Sequence, residues 1–133
     1  MTPRSKIIPM TPSVPINETA EKAAISCIVQ NFENLRVMTW PEELFFSEAY
    51  RIVLATAKEI AEEGTTKDPF AVQARLEQRG TLDAVGGVHG FVEILTYMPT
   101  GDPGTAAWHR SALMDAMRYR RALATVREAE GAF

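Results

Sequence analysis

A single cysteine, Cys27, occurs in the 133 residues. That excludes an internal disulfide framework, and a lone thiol fits a reducing, cytoplasmic setting. The only two histidines, His89 and His109, have no second ligand four residues away and no cysteine pair, which leaves a zinc site without donors. No apolar run approaches the roughly 18 residues of a membrane span. Arg4 and Lys6 are not followed by the apolar core of a secretory signal. The formal net charge is -3, whereas sequence-independent binding to nucleic acid normally needs a clear basic excess. A phosphate-cradling G-x-x-x-x-G-K-S/T loop is missing, so ATP is not held in that way. Ser26, Ser47 and Ser111 lack the glycine-flanked elbow of a nucleophilic serine. No catalytic, cofactor-binding or metal-binding residue is therefore assigned.

What is present is helical. Hydrophobic residues make up 46% and charged residues 23%, values of a globular rather than a disordered chain, and the length suits one domain. Four of the eight prolines (Pro3, Pro9, Pro12, Pro15) fall in residues 1–16. They remove amide donors and predict an extended leader, either a tail or a docking arm. Residues 17–104 read as a helical bundle and 105–133 as one long helix.

The bundle begins at Asn17, an N-cap with Glu18 and Glu21 in the first turn; Ala20, Ala24, Cys27 and Ile28 line one face. Small residues there permit close helix approach, with Cys27 a buried small hydrophobe. Residues 31–38 form a short helical piece carrying Phe32, Leu35 and Val37, ended by Trp40-Pro41. The turn PEELFF at 41–46 feeds two aromatics inward. Ser47 caps a third helix in which Tyr50, Val53, Leu54, Ala57, Ile60 and Ala61 recur at helical spacing up to Gly64, with Glu62 and Glu63 on a solvated face. Asp68-Pro69 starts a fourth, the aspartate capping and the proline filling the first position. Gly80 stops it after Leu76. Leu82 and Val85 pin the corner that ends in Gly86-Gly87, and Val88, Phe91, Val92 and Leu95 give the fifth helix its apolar face. Residues 98–104 are a loop.

From about Ala106 the chain reads as one helix of about 24 residues, roughly 36 Å long. The preceding bundle should be about 30 Å across. The rod therefore overhangs its own domain. Ala112, Ala116, Tyr119, Leu123 and Val126 form a coiled-coil-like seam, widened by Leu113, Met117 and Ala124, that a monomer leaves wet. Self-association through these five residues is expected. Arg118, Arg120 and Arg121 sit in the arginine cluster of the same helix. They read as a solvated face, or as a contact for an acidic partner or a DNA strand.

The order of these features resembles the N-terminal domain of DnaB-type replicative DNA helicases. Matching features run from Val14 to about Arg121: the proline-led approach to an acidic helix, PEELFF followed by Tyr50-Arg51, then Gly64, Asp68, Leu76 with Gly80, Leu82-Asp83 and Val85-Gly86-Gly87. Tyr50 stands where the family usually has histidine, and Gly90 where it usually has tyrosine. The resemblance implies an all-α, non-catalytic bundle of about five to six helices whose long C-terminal helix projects as the first arm of a dimerisation hairpin. It implies dimers assembling as a trimer of dimers in a hexameric helicase, and docking of primase or a helicase loader. ATP and Mg would belong to a following RecA-like motor domain, and DNA would be met only through the parent helicase. The alternative is a free-standing helical DNA-binding or helicase-regulating protein, for example of phage or mobile-element origin.

Overall fold

The computed structural model describes residues 16–131. The proline-rich leader falls, except for Ile16, outside the described residues. Six α-helices are found among the described residues: α1 (Glu18–Gln30), α2 (Glu33–Val37), α3 (Glu48–Glu63), α4 (Phe70–Gln78), α5 (Gly87–Tyr97) and α6 (Pro103–Gly131). One-turn 3-10 helices at Glu42–Leu44 and Asp83–Val85 join α2 to α3 and α4 to α5. No strand occurs among the described residues, and none of their helices is long and apolar enough to cross a membrane. The architecture is all-α, as the sequence predicts.

Local chemistry explains where most helices begin and end. Asn17 Oδ1 accepts from Ala20 N–H at 3.0 Å and Ser47 Oγ from Tyr50 N–H at 3.5 Å, so both anticipated caps close a helix start. Asp68 Oδ1 accepts from Phe70 N–H at 2.9 Å, just ahead of Pro69. Gly64 and Gly80 adopt φ of +68° and +71°, the left-handed conformation that ends α3 and α4. Asp102-Pro103 repeats the Asp68-Pro69 device. Asp102 Oδ2 takes the Thr105 N–H at 2.9 Å, so α6 starts at Pro103, before the expected Ala106.

α1 is the centre of the bundle. It packs on α3, α5 and α6, and it is buried on nearly all sides. Ala23, Ile25, Ser26 and Val29 are covered as well as the expected Ala20, Ala24, Cys27 and Ile28. Alanine and serine at these places let three helices approach one axis. The buried polar groups of α1 serve its neighbours. Gln30 Nε2 donates to the carbonyls of Leu95 and Met98, both at 2.7 Å, and Ser26 Oγ accepts from Met98 N–H at 3.0 Å. These bonds satisfy backbone groups at the end of α5 that no helical partner can reach. Asn34, fully buried, donates from Nδ2 to Cys27 O at 3.0 Å and Gly101 O at 2.9 Å, tying the α5–α6 loop to α1.

Three expectations are corrected. Of the two aromatics in the PEELFF turn only Phe45 is buried, beside Leu44; Phe46 is exposed. Its backbone N–H is turned inward to Glu21, which sends the neighbouring ring out. In α5 the covered residues are Phe91 and Ile94, whereas Val88 and Val92 are exposed, because α5 meets α1 along a face rotated from the one the valines suggested. Leu113 and Met117 do not widen the seam of α6. With Ala106 they form its core-facing line.

Candidate docking surface

The turn at 41–47 is held from two sides. Glu21, fully buried on α1, accepts from Phe46 N–H at 2.9 Å and Ser47 N–H at 3.1 Å, one bond to each carboxylate oxygen. From the other side, Arg121 of α6 grips the Glu43 carboxylate with both Nε, at 2.7 Å, and Nη2. Arg120 donates to Glu43 O at 2.8 Å and lies over the Phe46 ring at 5.9 Å. The Arg121 guanidinium holds the Glu43 carboxyl below its ordinary value. Further up the helix, Arg110 donates to Thr39 O at 2.6 Å and Thr39 Oγ1 at 2.9 Å, and lies over the Trp40 ring. Three arginines thus fasten one side of α6 to the loops between α2 and α3. Arg118 instead has only Asp115, one turn back, at 3.6 Å.

The other side of α6 is bare. Trp108, Tyr119 and Val126 are 71%, 60% and 53% exposed. At about 100° per residue they lie on one line of the helix, about 160° round from Ala106, Leu113 and Met117. Of the five predicted seam residues, Tyr119 and Val126 fall on that bare line, while Ala112, Ala116 and Leu123 are half-buried on its flank. Trp108 lies outside the five predicted seam residues yet joins the same line. Its signal is plain in retrospect, eleven residues before Tyr119 and therefore on the same face. Beyond Met117, the last buried residue, the helix runs about 20 Å further to Gly131.

An open cleft of about 860 Å3 lies between the end of α1, α2 and the end of α3, with Phe32, Leu35, Met38 and Lys67 among its lining. No group of three or more His, Cys, Asp or Glu able to hold a metal gathers among the described residues. His89 and His109 stay apart in role. His89 is exposed beside Glu93 at 3.7 Å, whereas His109 packs edge-on against Trp108 and burial lowers its pKa.

Comparison with known proteins identifies the fold. A profile of the DnaB-like helicase N-terminal domain matches residues 13–107, ending five residues into α6. Among solved structures, the crystal structure of the N-terminal domain of DnaB helicase from Mycobacterium tuberculosis superposes with a TM-score of 0.76. It shares 19% sequence identity, and the overlap covers 87% of this chain and 84% of that one. Comparison with curated proteins gives no match. The bare line of α6 lies wholly beyond the matched profile. From Asn17 to the start of that helix, the chain belongs to the family of DnaB-like helicase N-terminal domains.

Proposed function

We propose that this chain is the non-catalytic assembly domain of a replicative DNA helicase, that a second copy covers the bare side of α6, and that the resulting dimers build a trimer-of-dimers collar on which primase or a helicase loader docks. The observation that carries the reading is the uncovered line of Trp108, Tyr119 and Val126 on a rod that outruns its own core. Fully packed aromatics each bury about 150–250 Å2. Covering Trp108 and Tyr119 on two copies removes on the order of 400 Å2 of apolar surface, about 10 kcal/mol gross at about 25 cal/mol per Å2. Association costs about 4–15 kcal/mol. The surplus is at most about 6 kcal/mol, so isolated domains should pair at about tens of micromolar rather than nanomolar concentration, and the intact helicase would add avidity.

Light scattering at tens of micromolar tests this. The wild type should run as a dimer or a larger even assembly, and Tyr119→Asp with Val126→Asp should run as a monomer. A monomeric wild type contradicts the reading. The alternative, a free-standing DNA-binding or helicase-regulating protein, rests on Arg118, Arg120 and Arg121. Two of these three are engaged with Glu43, which leaves it the weaker support. It requires salt-sensitive DNA binding that weakens when all three arginines are replaced by alanine.

A further inference from the structure

The proline-rich leader and the surface at its root are chemically matched. Pro3, Pro9, Pro12 and Pro15 all fall on multiples of three, with Lys6 in the one remaining place. A polyproline helix has three residues per turn, so these five residues would share one edge of it. Arg4, Ile7, Met10 and Ser13 fall on the second edge, and Ser5, Ile8, Thr11 and Val14 on the third. The leader carries Arg4 and Lys6, and the first carboxylate of the chain is Glu18. Segments of this Pro-x-x-Pro pattern are ligands for aromatic-lined grooves, because a chain already inclined to the bound shape loses little entropy on docking.

An aromatic surface begins where the leader joins the bundle. Glu21 ties the start of α3 to α1 by accepting from Ser47 N–H, and Ser47 caps the turn that carries Tyr50. Lys22 lies over the Tyr97 ring at 4.8 Å, which brings the end of α5 to the same turn of α1. Glu93 stands one turn before Tyr97 on one face of α5. Burial, then the negative charges of Glu18, Glu21, Tyr97 and Glu93, holds the Tyr50 phenol above its ordinary value, so these groups lie within electrostatic reach of that ring. Tyr97 and Ile16 are 41% and 43% exposed, and Tyr50 is half-buried. Among the described residues Glu18 forms no ion pair and Glu93 has only His89, at 3.7 Å. Free carboxylates here favour a basic arm over an acidic one.

Reach and tethering favour the chain's own leader as the occupant. Residues 17–22 of α1 cover about 8 Å of axis. In a polyproline helix Pro12 and Pro9 would stand about 9 and 19 Å from Pro15, which spans that distance. A short tether presents the arm at about millimolar effective concentration, enough for a groove that binds weakly.

We infer that the leader docks on its own domain, with Pro9 and Pro12 laid over the tyrosine pair Tyr50 and Tyr97. Met10→Cys and Thr11→Cys, one on each non-prolyl edge, test this separately in the full chain. Native Cys27 is fully buried, and the wild type gives its background. The rate of reaction with a maleimide is compared with that of the same cysteine in a synthetic peptide of residues 1–16. At least one of the two cysteines should react several-fold more slowly in the protein, and equal rates at both overturn the docking. Pro9→Ser with Pro12→Ser, which leaves the bundle untouched, should restore the peptide's rate, and so should Tyr97→Ser. Protection that survives loss of both prolines overturns the prolyl contact. Protection that survives Tyr97→Ser overturns this surface as the place. Protection that fades on tenfold dilution belongs to the leader of a second copy and overturns docking on the chain's own domain. None of these substitutions lies on α6, so this docking and the self-association proposed above fail independently.

Discussion

At the scale of single residues, the bundle depends on polar side chains that the core has enclosed. Glu21 sits in the first turn of α1, where an acid is favoured by the helix dipole in any case. Its actual partners are the N–H groups of Phe46 and Ser47. Replacing it by alanine leaves two inward-facing donors without an acceptor, at about 1–3 kcal/mol for each buried group. Glu21→Ala should therefore cost about 2–6 kcal/mol by urea denaturation. Glu21→Gln, which keeps one acceptor oxygen, should cost roughly half as much. An equal loss in both variants would show that charge, not the bond to the turn, is what matters. Gly90 makes a second case. A Cβ there would lie 2.6 Å from Val85 O, because the corner at Asp83–Val85 folds back onto the first turn of α5. Gly90→Ala should destabilise by about 1–3 kcal/mol although alanine is the better helix former.

At the scale of elements, what could be foreseen divides by range. Caps and stops are local chemistry, so Asn17, Ser47, Gly64, Asp68 and Gly80 could be read directly and α1, α3 and α4 follow from them. Asp102-Pro103 carries the same signal, but the surrounding Pro, Gly and Thr give it the composition of a loop. Facing is not local. Whether Val88 or Ile94 of α5 meets the core depends on where α1 lies, and both stripes are equally apolar in sequence. The Glu43–Arg121 grip joins residues 78 apart, and no pattern within one helix announces it. Nor does sequence reveal that Glu62 and Glu63 differ. Glu63 accepts from both Nη atoms of Arg75 at 2.8 Å, and Glu59 is held by Arg79 and Arg75, so α3 and α4 are stapled by four charges. The arginines hold both carboxyls below the ordinary value of 4.5. A carboxyl with a depressed folded-state pKa contributes stability that is present above its unfolded value and disappears as pH falls through the folded one. The staple should accordingly be intact at neutral pH and fail below about 4.5, towards the depressed values. Hydrogen exchange of α4 recorded from pH 7 down to 3 should show this after correction for intrinsic rates, and Glu59→Gln with Glu63→Gln should remove the dependence.

At the scale of the whole molecule, α6 makes two different surfaces from one helix. One side carries Ala106, Leu113 and Met117 into the core and fastens Arg110, Arg120 and Arg121 to the loops; the other carries Trp108, Tyr119 and Val126 into water. The fastening fixes the rod against the bundle, so the bare line has a defined direction rather than a flexible one. Rigid presentation lowers the ordering cost of association. Arg121→Ala should hardly alter stability, since an exposed ion pair contributes about 0–1 kcal/mol. It should nevertheless weaken dimerisation in a sedimentation series by loosening the rod, and unchanged dimerisation would separate the clamp from assembly.

The central claim is that water does not reach the bare line of α6 in the assembled state, and the two tryptophans permit a direct check. Trp40 is buried, with its Nε1 bonded to Asn34 O at 2.9 Å, so its emission is a fixed background. Trp108 reports the line. At tens of micromolar, the emission of the wild type should be blue-shifted relative to the Tyr119→Asp, Val126→Asp variant, and dilution should move it towards the variant. Identical spectra for the two proteins, with Trp108 as wet in one as in the other, would contradict the account.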